Sequence, residues 1–195
     1  MDARFSLASE ADLISEVGVQ ILNNIIIQSI GFFSTALSLA SFQQKSRKRI
    51  LCFQMAASFT FSLHLILLGA ITGGVLDFVS FIRTLIFSNN EKQWAKSPIW
   101  LYVFLLFFAV SGILTWAGWV SLLAIAGTLI QTVSLWLKKP FHTRVVCLCS
   151  APLWFVYNML NMSYAGMVME AVAAVSIIIG IIRNDLKSIK VSADN

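Results

Sequence analysis

Ile21–Arg49 reads ILNNIIIQSIGFFSTALSLASFQQKSRKR, an apolar run of helical length closed by a block of bases. That cadence decides the fold because it recurs. Seven apolar runs follow one another: Ile21–Phe42, Ile50–Leu68, Ile71–Phe87, Ile99–Trp116, Trp119–Leu137, Val145–Asn161 and Gly166–Ile182. Each has roughly the 17 to 25 residues a helix needs to cross a hydrocarbon core of about 30 Å. The bases gather at alternate junctions. Lys45, Arg47, Lys48 and Arg49 follow the first run, and Arg83, Lys92 and Lys96 end or follow the third. Lys138, Lys139 and Arg144 follow the fifth, and Arg183, Lys187 and Lys190 the seventh. Thirteen of the fourteen Lys and Arg residues therefore share one face, with Arg4 alone opposite. Short basic loops are retained on the cytoplasmic side, which predicts an N-terminus outside and a C-terminus inside.

Composition agrees. With 58% hydrophobic and 12% charged residues, the chain has too little polar surface for a soluble globule of 195 residues. The net charge of +5 sits in short loops beside apolar runs, so it sets orientation and argues against a nucleic-acid partner. Residues 1–16 carry Asp2, Glu10, Asp12 and Glu16 and lack the basic start and apolar core of a cleavable signal peptide. This acidic segment reads either as a short helix begun at Ser9 or as a solvated end. Cys52, Cys147 and Cys149 all fall within spans, an odd number with no disulfide framework and no zinc spacing. His142 lies in a loop, so no intramembrane histidine pair exists for a haem. Neither cofactor nor metal is expected.

The loops carry a second rhythm. Runs one and two are joined by a basic loop, and two and three by a tight uncharged turn around Gly69–Gly74. Runs five, six and seven repeat this with Lys138–Arg144 and Met162–Ala165. A three-span unit ends on the face opposite its start, so a like-oriented copy needs one more crossing, which run four supplies. On the first helix Asn24, Gln28, Gly31, Thr35 and Ser38 share one face. Gly127, Gln131 and Ser134 reproduce the Gly31, Thr35, Ser38 spacing 96 positions later. The expectation is an all-α integral membrane protein with seven transmembrane helices in a 3+1+3 parallel-repeat arrangement. Its parts are an acidic extracytoplasmic tail (1–20), a first triple-helix repeat (21–87), a linker with helix four (88–118), a second repeat (119–183) and a cytoplasmic tail (184–195). Parallel triple-helix repeats are the plan of SWEET-type transporters, which this layout resembles. The proline–glutamine pair of the wider PQ-loop group is absent, since neither Gln28 nor Gln131 follows a proline.

Several segments resemble the YgjV-type bacterial inner-membrane proteins: Gln28–Gly31 (QSIG), Ser62–Gly69 (SLHLILLG), Ile82–Ile86 (IRTLI), Ala126–Thr128 (AGT), Trp154–Asn158 (WFVYN) and the Glu170…Arg183 span. They cover most of residues 20–185. The resemblance implies the bacterial inner membrane and a PQ-loop-like fold, and it brings no activity with it.

Candidate site residues are the polar groups that lipid makes costly. Glu170 and Asp77 lie about 7 and 9 Å below the outer ends of runs seven and three, counted at about 1.5 Å per residue. Intramembrane carboxylates face a bundle interior or a wet cavity, so each reads as a substrate or proton group, or as a structural hydrogen-bond partner. Arg83 is expected to snorkel to the inner boundary, as is Arg183, with inward binding of an anion as the alternative. His64, with Thr60 and Ala57 on its face, reads as a helix-to-helix hydrogen bond or a proton relay. Trp154 and Asn158 share a stripe with Ala151 and Asn161, suited to a cavity wall or to core packing. Trp94, Trp100, Trp116, Trp119 and Trp136 read as interfacial anchors. Pro152 is expected to bend run six.

Glu170, Asp77, His64, Asn158, Trp154, Gln28 and Gln131 therefore form the expected binding set of a small-solute transporter or facilitator working by alternating access. Its partners would be the lipid bilayer and a small polar solute, with homo-oligomerisation open. The alternative is a non-transporting receptor or assembly protein on the same fold. An enzyme is not expected: no nucleophile elbow, metal cluster or phosphate loop can be read, and no lysine lies mid-span.

Overall fold

The computed structural model of the protein describes residues 2–42, 47–89, 92–137 and 140–182. Lys45, Lys138, Lys139, Arg183, Lys187 and Lys190 lie outside the described residues, as does the expected cytoplasmic tail. Seven α-helices and no strand occur among the described residues. They are α1 (Asp2–Phe42), α2 (Arg47–Leu67), α3 (Ile71–Ser88), α4 (Ile99–Leu114), α5 (Val120–Trp136), α6 (Pro140–Leu160) and α7 (Tyr164–Gly180), with one 3-10 turn at Gln93–Lys96.

Two helices start five or more residues earlier than the apolar runs predict. α1 is continuous from Asp2, so the acidic segment is neither a separate helix nor an irregular end. Residues 2–20 contain no proline and only one glycine, Gly18, so nothing in the backbone interrupts the helix. α6 begins at Pro140 rather than Val145 because proline, lacking an N–H, suits the first helical turn. Pro152 sits inside a helix that stays continuous to Leu160.

The turns after α2 and α6 are built alike. Gly69 has φ +80° and Met162 φ +55°, both left-handed. Ala70 N–H bonds the Leu65 carbonyl at 2.9 Å, and Ser163 N–H bonds the Asn158 carbonyl at 2.8 Å. These are the six-to-one bonds that close a helix on a left-handed residue. Glycine adopts that conformation freely; Met162 does so at a cost of about 1–2 kcal/mol.

Packing is inverted relative to a water-soluble protein. Large apolar side chains face outward: Leu114 keeps 80% of its surface and Tyr102 68%. The buried set is rich in hydroxyls, among them Ser34, Thr35, Thr72, Ser121, Thr128 and Thr132. Lipid chains offer nothing to drive apolar faces together, so close contact through small residues and internal hydrogen bonds holds such helices. Many hydroxyls bond their own helix: Thr35, Thr128 and Thr132 donate to the carbonyls of Gly31, Ala124 and Thr128 at 3.1, 2.8 and 2.7 Å. Each is satisfied without requiring a neighbour.

Contacts run α1 to α2, α2 to α3, α3 to α5, α5 to α6, α6 to α7, and α7 back to α1. The six helices close a ring. α4 packs outside it, against α3 and α5. By length and composition alone, Glu16–Ser41 and Phe141–Leu160 are long and apolar enough to cross a membrane, and Cys52–Leu67, Ile99–Leu114, Val120–Ser134 and Tyr164–Gly180 are shorter apolar helices.

Candidate functional site

Two crossing braces tie one end of the ring. His64 on α2 is fully buried. Its Nδ1 lies 2.8 Å from the Ile27 carbonyl of α1, and its Nε2 2.9 Å from Ser163 Oγ, the N-cap of α7. A carbonyl can only accept, so Nδ1 carries the proton and Nε2 accepts from the serine hydroxyl, leaving a neutral ring. Ser163 Oγ in turn accepts from Gly166 N–H at 3.3 Å. Gly31 makes room for this ring, since a Cβ there would lie 2.7 Å from His64 Cε1. The second brace runs the other way. Tyr157 on α6 accepts from Gly73 N–H at 2.8 Å and donates to the Ala70 carbonyl at 3.3 Å, at the start of α3. A Cβ at Gly73 would lie 2.5 Å from the Tyr157 ring, so only glycine admits it.

Below the braces lie the charges. Asp77 on α3 and Glu170 on α7 are within electrostatic reach of each other, although their helices stand opposite in the ring. Both side chains are half-buried.

Arg83 corrects the snorkelling expectation. It is 4% exposed, donates from Nη1 to Thr132 Oγ1 of α5 at 2.5 Å, and holds its guanidinium 5.3 Å from the centroid of the Phe108 ring of α4. The hydroxyl, the aromatic face and the nearby Asp77 carboxylate compensate the charge inside. Its Nε has no partner. Arg183 lies outside the described residues.

Asn158 on α6 is 1% exposed, and neither Oδ1 nor Nδ2 has a partner. Its amide lies against Gly166, one turn above Glu170 on the same face of α7; a Cβ at Gly166 would overlap the Asn158 side chain. Trp154 is buried, edge-on to Tyr157 at 5.5 Å, and packs on Gly127 of α5.

Gln28 stands apart from the charges. Its Nε2 donates to the Met162 carbonyl at 2.8 Å, its Oε1 is buried without a partner, and it lines an open groove of about 820 Å³ with Asn24, Phe32, Leu160 and Tyr164. Gln131 is half-buried on α5; its backbone carbonyl accepts from Ser134 Oγ at 2.8 Å. Among the described residues, no hydrogen bond joins its side chain to the other candidates. Tyr157 and Ser163 complete the braces, and sequence reasoning missed both. The only local hint was the position of Tyr157 between Trp154 and Asn158 in WFVYN.

The cysteines are free, and among the described residues no group of three or more His, Cys, Asp or Glu could hold a metal ion. Outward apolar faces around a hydroxyl-lined interior define a multi-pass helical membrane protein. The chain belongs to the Imp-YgjV family of bacterial inner membrane proteins, whose family model matches residues 25–188. No curated protein and no solved structure matches it.

Proposed function

We propose that the protein is a small-solute transporter or facilitator of the bacterial inner membrane. Two triple-helix units, α1–α3 and α5–α7, rock about a shared internal site, and α4 returns the chain between them. The observation that carries this reading is the placement of Asp77 and Glu170, each six residues into its helix, half-buried and within electrostatic reach of the other across the ring. Intramembrane carboxylates of that kind mark solute or ion paths.

The internal duplication rests on a constant spacing. α2 and α6 are both 21 residues long and start at Arg47 and Pro140, 93 positions apart. The same spacing relates Ile71 to Tyr164 at the starts of α3 and α7, Gly69 to Met162, and Gly73 to Gly166. It also relates His64 to Tyr157, each bracing the start of the other unit's third helix, and Asp77 to Glu170. Buried Thr35 and Ser41 answer to buried Thr128 and Ser134. This reading takes a spacing of 93 positions in place of the 96 drawn from the first helices, so Thr35 pairs with Thr128 rather than with Gln131. In this scheme the two braces form a gate across the end of the helix ring that the loop charges assign to the periplasm, and alternating access requires them to part.

The test is solute uptake in proteoliposomes, comparing the natural sequence with Glu170→Gln and Asn158→Ala. Flux that falls in both variants supports the site. Unchanged flux in both rejects it, and the absence of flux for every solute class tried rejects transport.

A further inference from the structure

We infer that the groove between α1 and the α6–α7 turn holds one phospholipid of the leaflet remote from the basic loops. Its head is zwitterionic and ends in a primary ammonium. Such a site does not depend on transport.

Depth in the bilayer comes first. α2 and α6 each have 21 residues, about 31 Å of helix, which matches a hydrocarbon layer of about 30 Å. Arg47 and Arg144 stand at or near their starts, so their far ends mark the opposite boundary of that layer. The groove lies at those far ends, with Leu68 just past α2 and Asn161 just past α6 among its lining residues. On its α1 wall Asn24 and Phe32 are eight residues apart, about 12 Å along the helix. The groove therefore runs from the level of the glycerol esters into the acyl chains. Tyr164 on the opposite wall is 52% exposed and belongs to the residue types that gather at that level. The walls come from distant parts of the chain, and the bond from Gln28 Nε2 to the Met162 carbonyl ties them together. At about 820 Å³ the groove falls within the range of about 300–1,000 Å³ typical of ligand sites.

Hydrogen bonding and charge then select the head. The exposed Asn24 side chain makes no hydrogen bond among the described residues. Asn161 donates from Nδ2 to the Tyr157 carbonyl at 2.8 Å, which leaves its Oδ1 to accept. Hydrocarbon satisfies neither amide. Phosphate and ester oxygens accept from Asn24 Nδ2, and an alkylammonium, with three N–H donors, supplies the acceptors Asn24 Oδ1 and Asn161 Oδ1. No ionisable acid or base of the bilayer's ordinary pH range lines the groove, so an anionic head finds no counter-charge there. The charge nearest to Asn24 along α1 is the exposed Glu16, eight residues or about 12 Å farther out, which repels an anion and attracts an ammonium. A zwitterion adds no net charge to this uncharged end. Below the amides, the exposed Ile25 and Phe32 offer an apolar wall to one acyl chain.

The experiment is native mass spectrometry of the full chain released from detergent micelles. Phosphatidylethanolamine, phosphatidylcholine and phosphatidylglycerol with the same acyl chains are titrated, as is the chain-free head glycerophosphoethanolamine. The expected result is one phosphatidylethanolamine retained about tenfold more tightly than either other lipid. The choline head has no N–H to donate, and the glycerol head leaves a net negative charge. Asn24→Leu should weaken retention about tenfold, the loss of one hydrogen bond to a charged group. Ser29→Trp fills the groove from its exposed α1 wall and should abolish retention. Tyr102→Phe, on the outward face of α4, should leave it unchanged. Both groove variants replace exposed side chains, and misfolding of one leaves the other to decide. Five results would overturn the assignment: equal retention of all three lipids, tighter retention of phosphatidylglycerol, retention unchanged in both groove variants, saturable binding of the chain-free head alone, or a protein dimer that Ser29→Trp dissolves, which would seat a second copy in the groove.

Discussion

Replacing Tyr157 by phenylalanine removes one oxygen and leaves the ring that fills the space over Gly73. The hydroxyl accepts from Gly73 N–H and donates to the Ala70 carbonyl, so its loss strands a donor in the first turn of α3. That N–H has no intrahelical acceptor of its own, as is general for the first four residues of a helix. The Tyr157 ring is close enough to exclude even a methyl group at Gly73, so water has no room to substitute. A buried donor left unsatisfied costs about 1–3 kcal/mol, and the Tyr157→Phe protein should lose that much stability. Reversible unfolding by SDS in mixed micelles measures it. Tyr102→Phe, on the outward face of α4, serves as the control and should leave stability unchanged. If Tyr157→Phe unfolds within about 0.3 kcal/mol of the natural sequence, the hydroxyl is replaceable and the brace is not a structural link.

The same titration checks four more changes. Gly127→Ala should destabilise by about 1–3 kcal/mol, because its Cβ would lie 2.8 Å from Trp154 Cδ1 and the buried indole cannot retreat. Gly18→Ala, with nothing within 4 Å, should be neutral or stabilising by up to about 1 kcal/mol; equal effects of the two would refute the packing argument. Asn158→Leu should raise stability by about 1–3 kcal/mol, since it removes two unsatisfied buried polar atoms with little change in volume; a loss of stability would make the amide structural. Arg83→Lys keeps the charge but loses the planar group that reaches Thr132 over Phe108, so stability should fall by about 1–3 kcal/mol; no change would mean the guanidinium contacts contribute little.

The seven helices were legible because apolar length is a local property, and the described helices lie on the apolar runs with their ends shifted. The shifts have local causes that hydropathy ignores, such as a proline at the first turn of α6 and the unbroken helix-forming stretch before Ile21. Under the proposed duplication the spacing is 93 positions rather than the 96 expected from the first helices, and the difference has a physical reason. Three residues turn a helix through about 300°, nearly a full turn, so an alignment of small residues slipped by three still lies on one face. Spacing on α1 and α5 alone cannot distinguish 96 from 93; the turns at Gly69 and Met162 can, through a left-handed backbone that methionine does not advertise. Glu170, Asp77 and Asn158 were legible from cost alone, since lipid makes each conspicuous. The roles of Tyr157 and Arg83 were not. Each depends on acceptors or donors some 49 to 87 positions away in the chain, and no local pattern announces such a partner.

The length of α1 has a mechanical consequence. Its 41 residues make a rod of about 60 Å, twice the thickness of the hydrocarbon layer, so about half of it must project beyond that layer unless it lies strongly tilted. A projecting rod magnifies whatever its base does. Pivoting the first three helices by about ten degrees would sweep a tip about 30 Å away through roughly 5 Å, a distance paired spin labels resolve. The extension thus provides a built-in pointer from which small internal rearrangements can be read in an intact bilayer.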